Sequence, residues 1–226
     1  MSDFPGFGPQ TVKFIAGLSA NNSKQWFDGH RAEYETHYIE PAKAFVAAIG
    51  EPLRELAPAI QAIPKVNGSI FRINRDIRFS QDKTPYKDHL DLWFWEGERK
   101  GAVSGLFFRL TKNRLILGAG AHMFAPDLLK NYRAALSKSG EASSLLDIEG
   151  TLAATGLQLK GEHYAKIPRG MSFDDASLER LSKYNALYTS IETPHPTTLD
   201  SPEFIDHCVG QWRIMVPLHR WLIDTL

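Results

Sequence analysis

The sequence predicts one α+β domain over residues 1–226, with an N-terminal helical block, a central antiparallel β-meander and C-terminal helices. Apolar residues recur at helical spacing through the first sixty positions, whereas the chain alternates with the period of a strand after residue 67. The helical pattern returns at residue 126. No repeat, low-complexity tract or linker divides the chain, so a single domain is the simplest interpretation.

The N-terminal block contains three predicted helices. Pro9–Ala20 is short and amphipathic, and the polar residues 21–23 end it and offer caps for a second helix over Lys24–Ile39. Pro41 suits the first turn of a third helix, in which Pro52 favours a kink or a break. These residues therefore form a helical layer before the strands begin.

The central region supplies the strands of the predicted meander. His89–Trp95 alternates, and Val103–Thr111 and Arg114–Ala121 follow it with a hairpin connection at 112–113. The Gly-Ala-Gly run at 118–120 lacks the third glycine and the βαβ context of a dinucleotide site. We interpret it as a strand packed closely against a neighbour.

The C-terminal region is predicted to be mainly helical. The expected elements are a helix from Pro126 to near Gly140, a helix over Ser144–Thr155, a short strand over Leu157–Lys160, a helix over Asp174–Tyr184 and a rigid loop at Thr193–Pro196. Ser201 is expected to cap a final helix with Pro202 at its first position, and Pro217 is expected to bend it. One side of this helix is apolar and includes Cys208 and His219.

The composition excludes several classes of function. Lys plus Arg equals Asp plus Glu at 26 each, so a broad nucleic-acid or anionic-membrane surface is disfavoured. The single cysteine excludes an intramolecular disulfide and a multi-cysteine metal site, and no cofactor is predicted. No signal-peptide pattern and no apolar run of roughly 18 residues is present, so a cytoplasmic protein with no membrane partner is expected.

The stretch Ile70–Asp88 concentrates charge among large apolar residues. Its basic residues are Arg72, Arg75, Arg78, Lys83 and Lys87, and its carboxylates are Asp76, Asp82 and Asp88. As a strand it places Phe71, Ile73, Ile77 and Phe79 on one face, and Arg72, Asn74, Asp76 and Arg78 on the other. Arg75 then joins the apolar face, where it needs an acceptor beside it. Ile70, Ile73 and Ile77 also suit helical spacing, so a helix is the alternative.

This charged stretch predicts a site for a small phosphate- or carboxylate-bearing ligand. Its candidate residues are Arg72, Arg75, Asp76, Arg78, Asp82, Lys83 and Tyr86. Guanidinium groups bind phosphate and carboxylate oxygens bidentately, and the carboxylates would orient them. The alternative is a structural ion-pair network, with Asp76 paired to Arg75 or Arg78 and Asp82 to Lys83 or Arg72, in a non-enzymatic interaction module. Three carboxylates against five cations leave two cations over.

Other candidate chemistry is weaker. His30, Glu33 and His37 lie on one predicted helix, but the two histidines are about 10 Å apart and cannot share a metal, so no metal site is predicted. Ser104-Gly105 lacks the first glycine of a nucleophile elbow, and Cys208 is expected to be a buried, inert thiol. Trp93 and Trp95 could stack bases beside the basic stretch, which leaves a single-stranded nucleic-acid binder as a third hypothesis.

The central stretch resembles the signature of the domain of unknown function 2461 family, which consists mainly of uncharacterised bacterial proteins. The pattern Arg-x-x-Arg-Asp-x-Arg-Phe, followed by Asp, Lys and Tyr, falls on Arg72, Arg75, Asp76, Arg78, Phe79, Asp82, Lys83 and Tyr86. Asn21-Asn22, Trp26-Phe27 and Arg169-Gly170 extend the resemblance over nearly the whole chain. The resemblance implies no particular activity. Whether the protein is an enzyme is therefore left open, and a metal-free reaction at phosphorus is conceivable but lacks an identified nucleophile.

Overall fold

The computed structural model describes residues 4–97 and 103–226. The helices are α1 (Pro9–Ala20), α2 (Lys24–Gly29), α3 (Arg31–Tyr34), α4 (Glu40–Leu56), α5 (Pro126–Leu136), α6 (Ser139–Ala154), α7 (Ala176–Ser182) and α8 (Phe204–Thr225). The strands are β1 (Leu90–Trp95), β2 (Gly105–Leu110), β3 (Arg114–Ala121), β4 (Lys160–Glu162) and β5 (Tyr184–Pro194). They form an antiparallel sheet in the order β1-β2-β3-β5-β4, so the predicted α+β class is confirmed.

The first helix has the predicted bounds, whereas the second is interrupted. Ser23 caps α2 by accepting a hydrogen bond from the amide of Trp26. The backbone of His30 then leaves helical geometry, because its ring stacks on Trp26 with centroids 3.9 Å apart and its Nδ1 lies 2.7 Å from the Trp26 carbonyl oxygen. The prediction of one helix over Lys24–Ile39 is therefore wrong: α3 and a π-helical turn at Glu35–Ile39 follow before α4.

Helix α4 runs through Gly50 and Pro52 without ending, so of the two expected outcomes the break does not occur, and the kink stays a prediction. Phe45, Ile49 and Leu53 are fully buried, so the apolar face of the helix is kept on both sides of the proline. Burial of that face outweighs the lost hydrogen bond of one proline.

The meander is confirmed in β1, β2 and β3. The amide of Thr111 donates to the carbonyl oxygen of Arg114 at 2.9 Å and closes the predicted hairpin. The close packing expected at the Gly-Ala-Gly run is also confirmed: a Cβ on Gly120 would lie 2.6 Å from the Cα of Tyr188. The backbone of β5 thus approaches β3 at a distance that only glycine allows.

Strand β5 was not predicted, and β4 begins three residues and ends two residues beyond the strand expected over Leu157–Lys160. Ala186 and Leu187 are consecutive and both buried, so β5 does not alternate as a half-exposed strand would. It lies between β3 and β4, with Lys160 of β4 opposite Tyr188 and Glu162 opposite Tyr184. Consecutive buried residues interrupt the period-two signal by which sequence identifies a strand.

The last helix begins later than predicted. The Ser201 hydroxyl donates to the Thr198 carbonyl oxygen in a turn that precedes α8, so Ser201 does not cap the helix. Pro217 lies inside the helix. The apolar side is confirmed, since its members Phe204, Ile205, Cys208, Trp212, Met215, His219 and Leu222 are all buried.

The central stretch is extended but is not the predicted strand. It forms isolated bridges at Ile70–Leu92 and Asn74–Tyr86 and turns back between Ile77 and Lys83. Pro85 has no amide hydrogen for a ladder, which helps to explain why pairing stays local. The in–out alternation survives without a strand: residues 72, 74, 76 and 78 are exposed, and residues 71, 73, 75 and 77 are less so. Phe79 departs from it and is 94% exposed.

The chain folds into two compact units. Of the described residues, the first comprises 4–94, 107–117 and 192–211, and its core contains a cluster of rings formed by Phe4, Phe7, Phe45, Phe108 and Phe204. The second comprises 95–97, 103–106, 118–191 and 212–226, with Tyr132 packed on Phe124 and Trp221. The single-domain expectation stays a prediction. Among the described residues, no helix is long and apolar enough to cross a membrane.

Candidate functional site

We call residues 75–84 the tip of the central stretch. The charged side chains of the tip pair with partners inside it. Arg75 donates to the Asp82 carboxylate at 2.5 Å and to the Thr84 carbonyl oxygen at 3.1 Å, so the acceptor expected beside this half-buried arginine is present. Hydrogen bonds from Thr84, and then from Arg75, lower the pKa of the Asp82 carboxyl. Arg75 and Asp82 therefore fix the turn that carries the tip.

Arg78 and Lys83, the other cations of the tip, also have hydrogen-bond partners. Arg78 bonds both oxygens of Asp76, from Nε at 2.9 Å and from Nη2 at 2.7 Å. Lys83 donates to the Ile77 carbonyl oxygen at 3.0 Å. Arg72 and Arg78 were expected to bind one anion from a shared face. The Arg78 guanidinium, however, is already paired with the Asp76 carboxylate. The tip forms ion pairs, as in the structural alternative, but Asp82 pairs with Arg75 rather than with Lys83 or Arg72.

Tyr86 lies away from these cations and is buried. Its ring stacks on Phe27 with centroids 4.3 Å apart, and burial raises the pKa of its hydroxyl. The side chain of Asn22 pairs with the backbone of Tyr86, donating to its carbonyl oxygen at 2.8 Å and accepting from its amide at 3.1 Å. Tyr86 thus attaches the central stretch to the N-terminal helices, and the Asn-Asn and Trp-Phe pairs of the family resemblance lie at this junction.

A cluster of cations gathers instead around Asp91, on β1. Arg109 of β2 forks onto this carboxylate, with Nε 2.6 Å from Oδ1 and Nη2 3.0 Å from Oδ2. His89 Nε2 lies 3.2 Å from Oδ2 and Lys87 Nζ lies 3.5 Å from it. The Asp91 side chain is 6% exposed, against 34% for Arg109 and 21% for Lys87. The Asp91 carboxylate is the buried part of the cluster, and the side chains of Arg109 and Lys87 reach solvent.

The pKa shifts agree with this geometry. Burial alone raises the pKa of Asp91, but hydrogen bonds from His89 and Arg109 outweigh it and hold the pKa at about 2. Burial lowers the pKa of the Lys87 amine, Asp91 opposes this, and the positive charges of Arg109 and Arg72 lower it further. Arg72 is therefore close enough to add to the positive potential.

The cluster carries more positive than negative charge. Arg72, Lys87 and Arg109 contribute three positive charges and Asp91 contributes one negative charge, which leaves a surplus of two. The count leaves out His89 and the half-exposed Asp88, whose Nδ1 and Oδ1 lie 3.1 Å apart. We call Arg72, Lys87, His89, Asp91 and Arg109 the Asp91 cluster.

Sequence reasoning identified Arg72 but did not connect Lys87, His89, Asp91 and Arg109 into a site. One signal was available: Asp91 occupies a position in the alternating strand beside tryptophans, where an unpaired carboxylate is costly. The partner that compensates it lies 18 residues away on the next strand.

A second polar cluster, also missed, is buried in the other unit. His219 Nδ1 lies 2.9 Å from Ser104 Oγ, and His219 Nε2 lies 3.4 Å from Glu96 Oε1. Arg220 Nη1 reaches the same carboxylate at 3.1 Å. These are the residue types of a serine hydrolase triad, but Ser104 and His219 are both fully buried, so no substrate reaches them in this structure.

This buried histidine makes the fold sensitive to acid. Burial lowers the pKa of His219 and Arg220 lowers it further, while Glu96 and Asp224 act in the opposite direction. His219 is thus neutral in the fold, accepting from Ser104 and donating to Glu96. The stability from this neutral state is present above the ordinary histidine pKa of about 6.5 and is lost as pH falls below it, because the unfolded chain then binds the proton more readily.

We expect the wild-type free energy of unfolding to fall more steeply from pH 7 to pH 5 than that of His219→Gln. Urea denaturation at each pH measures the difference in slope. His122→Gln is the control, because His122 is exposed and its replacement removes no buried contact. Parallel curves for wild type and His219→Gln would show that His219 does not titrate in this range.

The remaining candidates are placed as follows. Cys208 is fully buried, and burial raises its thiol pKa well above the ordinary value, so the expected inert thiol is confirmed. Trp95 is 5% exposed and offers no surface for stacking, whereas Trp93 is half-buried. Within residues 4–97 and 103–226, no group of three or more His, Cys, Asp or Glu side chains is arranged to hold a metal ion.

The fold and the site together define the class of protein: an α+β protein whose surface carries a cluster of cations around one buried carboxylate. The family model described as "Conserved hypothetical protein (DUF2461)" matches residues 10–221, and the chain belongs to that family. A comparison with curated proteins returned no match.

Proposed function

We propose that this protein binds a small anionic ligand, bearing a phosphate or a carboxylate, at the Asp91 cluster. The observation that carries the proposal is the surplus of two positive charges on side chains that share one buried counter-ion. Cations held together against their own repulsion are arranged to receive an anion, whose binding would relieve that repulsion.

The hydrogen-bond donors left over by Asp91 support the proposal. Arg109 uses Nε and Nη2 on Asp91, and its Nη1 has no hydrogen-bond partner among the described residues. Lys87 makes one long contact with Asp91 and keeps further N–H donors. Arg72 is exposed, and its positive charge acts on Lys87 and on Asp76. Guanidinium and ammonium donors of this kind bind phosphate and carboxylate oxygens.

The rival function, an interaction module held by ion pairs, is favoured by the tip of the central stretch. Arg75 and Arg78 are paired there with Asp82 and Asp76. We therefore assign a structural role to the tip and the ligand to the Asp91 cluster. The proposal concerns binding and includes no reaction.

Arg72→Ala tests the proposal against a matched control in the same segment. We expect inorganic phosphate to bind the wild type with an affinity that falls as salt rises, and Arg72→Ala to weaken it about tenfold, because one charge-assisted hydrogen bond is removed. The control Arg78→Ala should leave the affinity unchanged, since Arg78 is taken by Asp76. Isothermal titration calorimetry measures both, and thermal melting checks folding.

Two results would overturn the assignment. Wild-type protein that binds neither phosphate nor a small carboxylate at low ionic strength leaves the cluster as a structural network. Equal losses in Arg72→Ala and Arg78→Ala would place the anion at the tip instead.

We further propose that the protein acts in the cytoplasm, which is consistent with its single, buried cysteine. Cell fractionation that recovers it from another compartment would contradict this.

A further inference from the structure

Aromatic rings border the Asp91 cluster on the same face of the sheet. Asp91 and Arg109 are joined across the neighbouring strands β1 and β2, so their side chains share one face. Side chains alternate along a strand, and therefore Trp93 and Phe107, each two positions further, lie on that face as well. The strands are antiparallel, so both steps lead in the same direction from the ion pair.

Direct contacts connect rings and cations. The Arg109 guanidinium lies over the Phe107 ring, 5.3 Å from its centroid. Lys87 Nζ lies 4.5 Å from the centroid of Phe71, whose amide donates to the Asp91 carbonyl oxygen. The cationic and aromatic parts of this surface are thus one continuous patch.

The two faces of these strands differ in exposure. Leu92 and Phe94 of β1 and Phe108 of β2 are fully buried and form the core face. Trp93 and Phe107, on the opposite face, remain half-buried. Large rings left partly in water beside unneutralised cations are typical of ligand surfaces rather than of core packing.

We propose that the anion bound at the Asp91 cluster carries a flat aromatic ring that lies on Trp93 and Phe107, which makes the ligand class a nucleoside phosphate. This rests on the proposed anion-binding function. Arg109 and Lys87 hold the phosphate, and the base lies on the aromatic end of the patch, where stacking is available to any base. The patch spans few residues and the chain carries no net charge, which favours a free nucleotide over a nucleic-acid strand.

Three ligands tested on the wild-type chain separate the contributions: inorganic phosphate, ribose 5-phosphate and adenosine 5′-monophosphate, titrated by calorimetry. We expect the nucleotide to bind at least about tenfold more tightly than ribose 5-phosphate, as stacking of one base provides. Trp93→Leu should abolish this preference and leave ribose 5-phosphate binding unchanged. The control Trp26→Leu, at a half-buried tryptophan stacked on His30, should keep the preference.

The outcomes distinguish the two proposals. Equal affinities for the nucleotide and ribose 5-phosphate, with Arg72-dependent phosphate binding retained, would overturn the aromatic ligand and leave the anion site standing. No binding of any of the three would overturn both. If Trp93→Leu fails to fold, the comparison of the nucleotide with ribose 5-phosphate on the wild type still tests the proposal. Phe107→Leu is a second variant, and it should lose the same preference for the nucleotide. A twelve-nucleotide single strand distinguishes the two sources of the ligand: affinity no better than the mononucleotide indicates a free nucleotide, and much tighter binding indicates a strand.

Discussion

Replacing Asp91 with asparagine is expected to lower the free energy of unfolding by about 2 to 3 kcal/mol, because it leaves Arg109, Lys87 and His89 without their shared counter-ion. The lower part of the range for broken buried pairs applies, since Arg109 and Lys87 reach solvent. Urea denaturation at pH 7 measures the loss. Asp88→Asn is the control: Asp88 is half-exposed, so its contribution should stay below about 1 kcal/mol.

The same pair of variants has a definite pH dependence. The pKa of Asp91 is lowered to about 2, so its contribution is fully present above the ordinary aspartate pKa of about 4 and is lost as pH falls through 2. The difference between wild type and Asp91→Asn should therefore shrink from pH 4 downward. A constant difference between pH 6 and pH 2 would show that ionisation of Asp91 is not what stabilises the fold.

Asp91→Asn also connects stability to the proposed function. The variant carries three positive charges at the cluster where the wild type has a surplus of two. Phosphate should then raise the melting temperature of the variant by more than that of the wild type, since a ligand stabilises the folded state in proportion to its affinity. Equal shifts in both proteins would argue against an anion bound at these cations.

Replacing Gly120 with alanine is expected to cost about 3 to 5 kcal/mol or to prevent folding. Gly120 has φ +128°, outside the range that alanine adopts without strain, and the added Cβ would lie 2.6 Å from the Cα of Tyr188. Relief requires β3 and β5 to move apart. Thermal and urea unfolding measure the loss.

Gly150→Ala is the matched control for that variant. Gly150 is exposed within α6 and has no atom within 4 Å of the added Cβ, so alanine should stabilise the protein by roughly 0.5 to 1 kcal/mol. If Gly120→Ala is as stable as the wild type, the close approach of β3 and β5 does not exist in solution.

Local features of this chain were predictable because they depend on neighbours in sequence. The bounds of α1, the hairpin between β2 and β3 and the buried side of α8 follow from apolar periodicity and turn residues. The need of Arg75 for an acceptor was also predictable, because alternation placed Arg75 on the less exposed side of the segment. Strand β5 was missed because Ala186 and Leu187 are consecutive and both buried, which interrupts its alternation.

The sequence predicted a candidate anion site, but it did not predict the cluster of charged residues that the structure shows around Asp91. The charged stretch indicated an anion site near residue 75, and the excess of cations over carboxylates was read from the sequence. Asp76 and Asp82 removed Arg78 and Arg75 from the candidates, whereas Arg109 and His89 joined through Asp91. Charge counting along a segment cannot foresee a partner supplied by another strand.

The sequence alone determined the α+β class, the family and the segment in which positive charge is concentrated. Only the tertiary structure decided which cations pair with the carboxylates of that segment and which gather around Asp91. The reason is the range of the interactions: periodicity reports the direction of a side chain relative to its own element, whereas hydrogen bonds and ion pairs form over about 3 to 4 Å in space. Asp91 and Arg109, or Glu96 and His219, come within that distance only after the chain has folded.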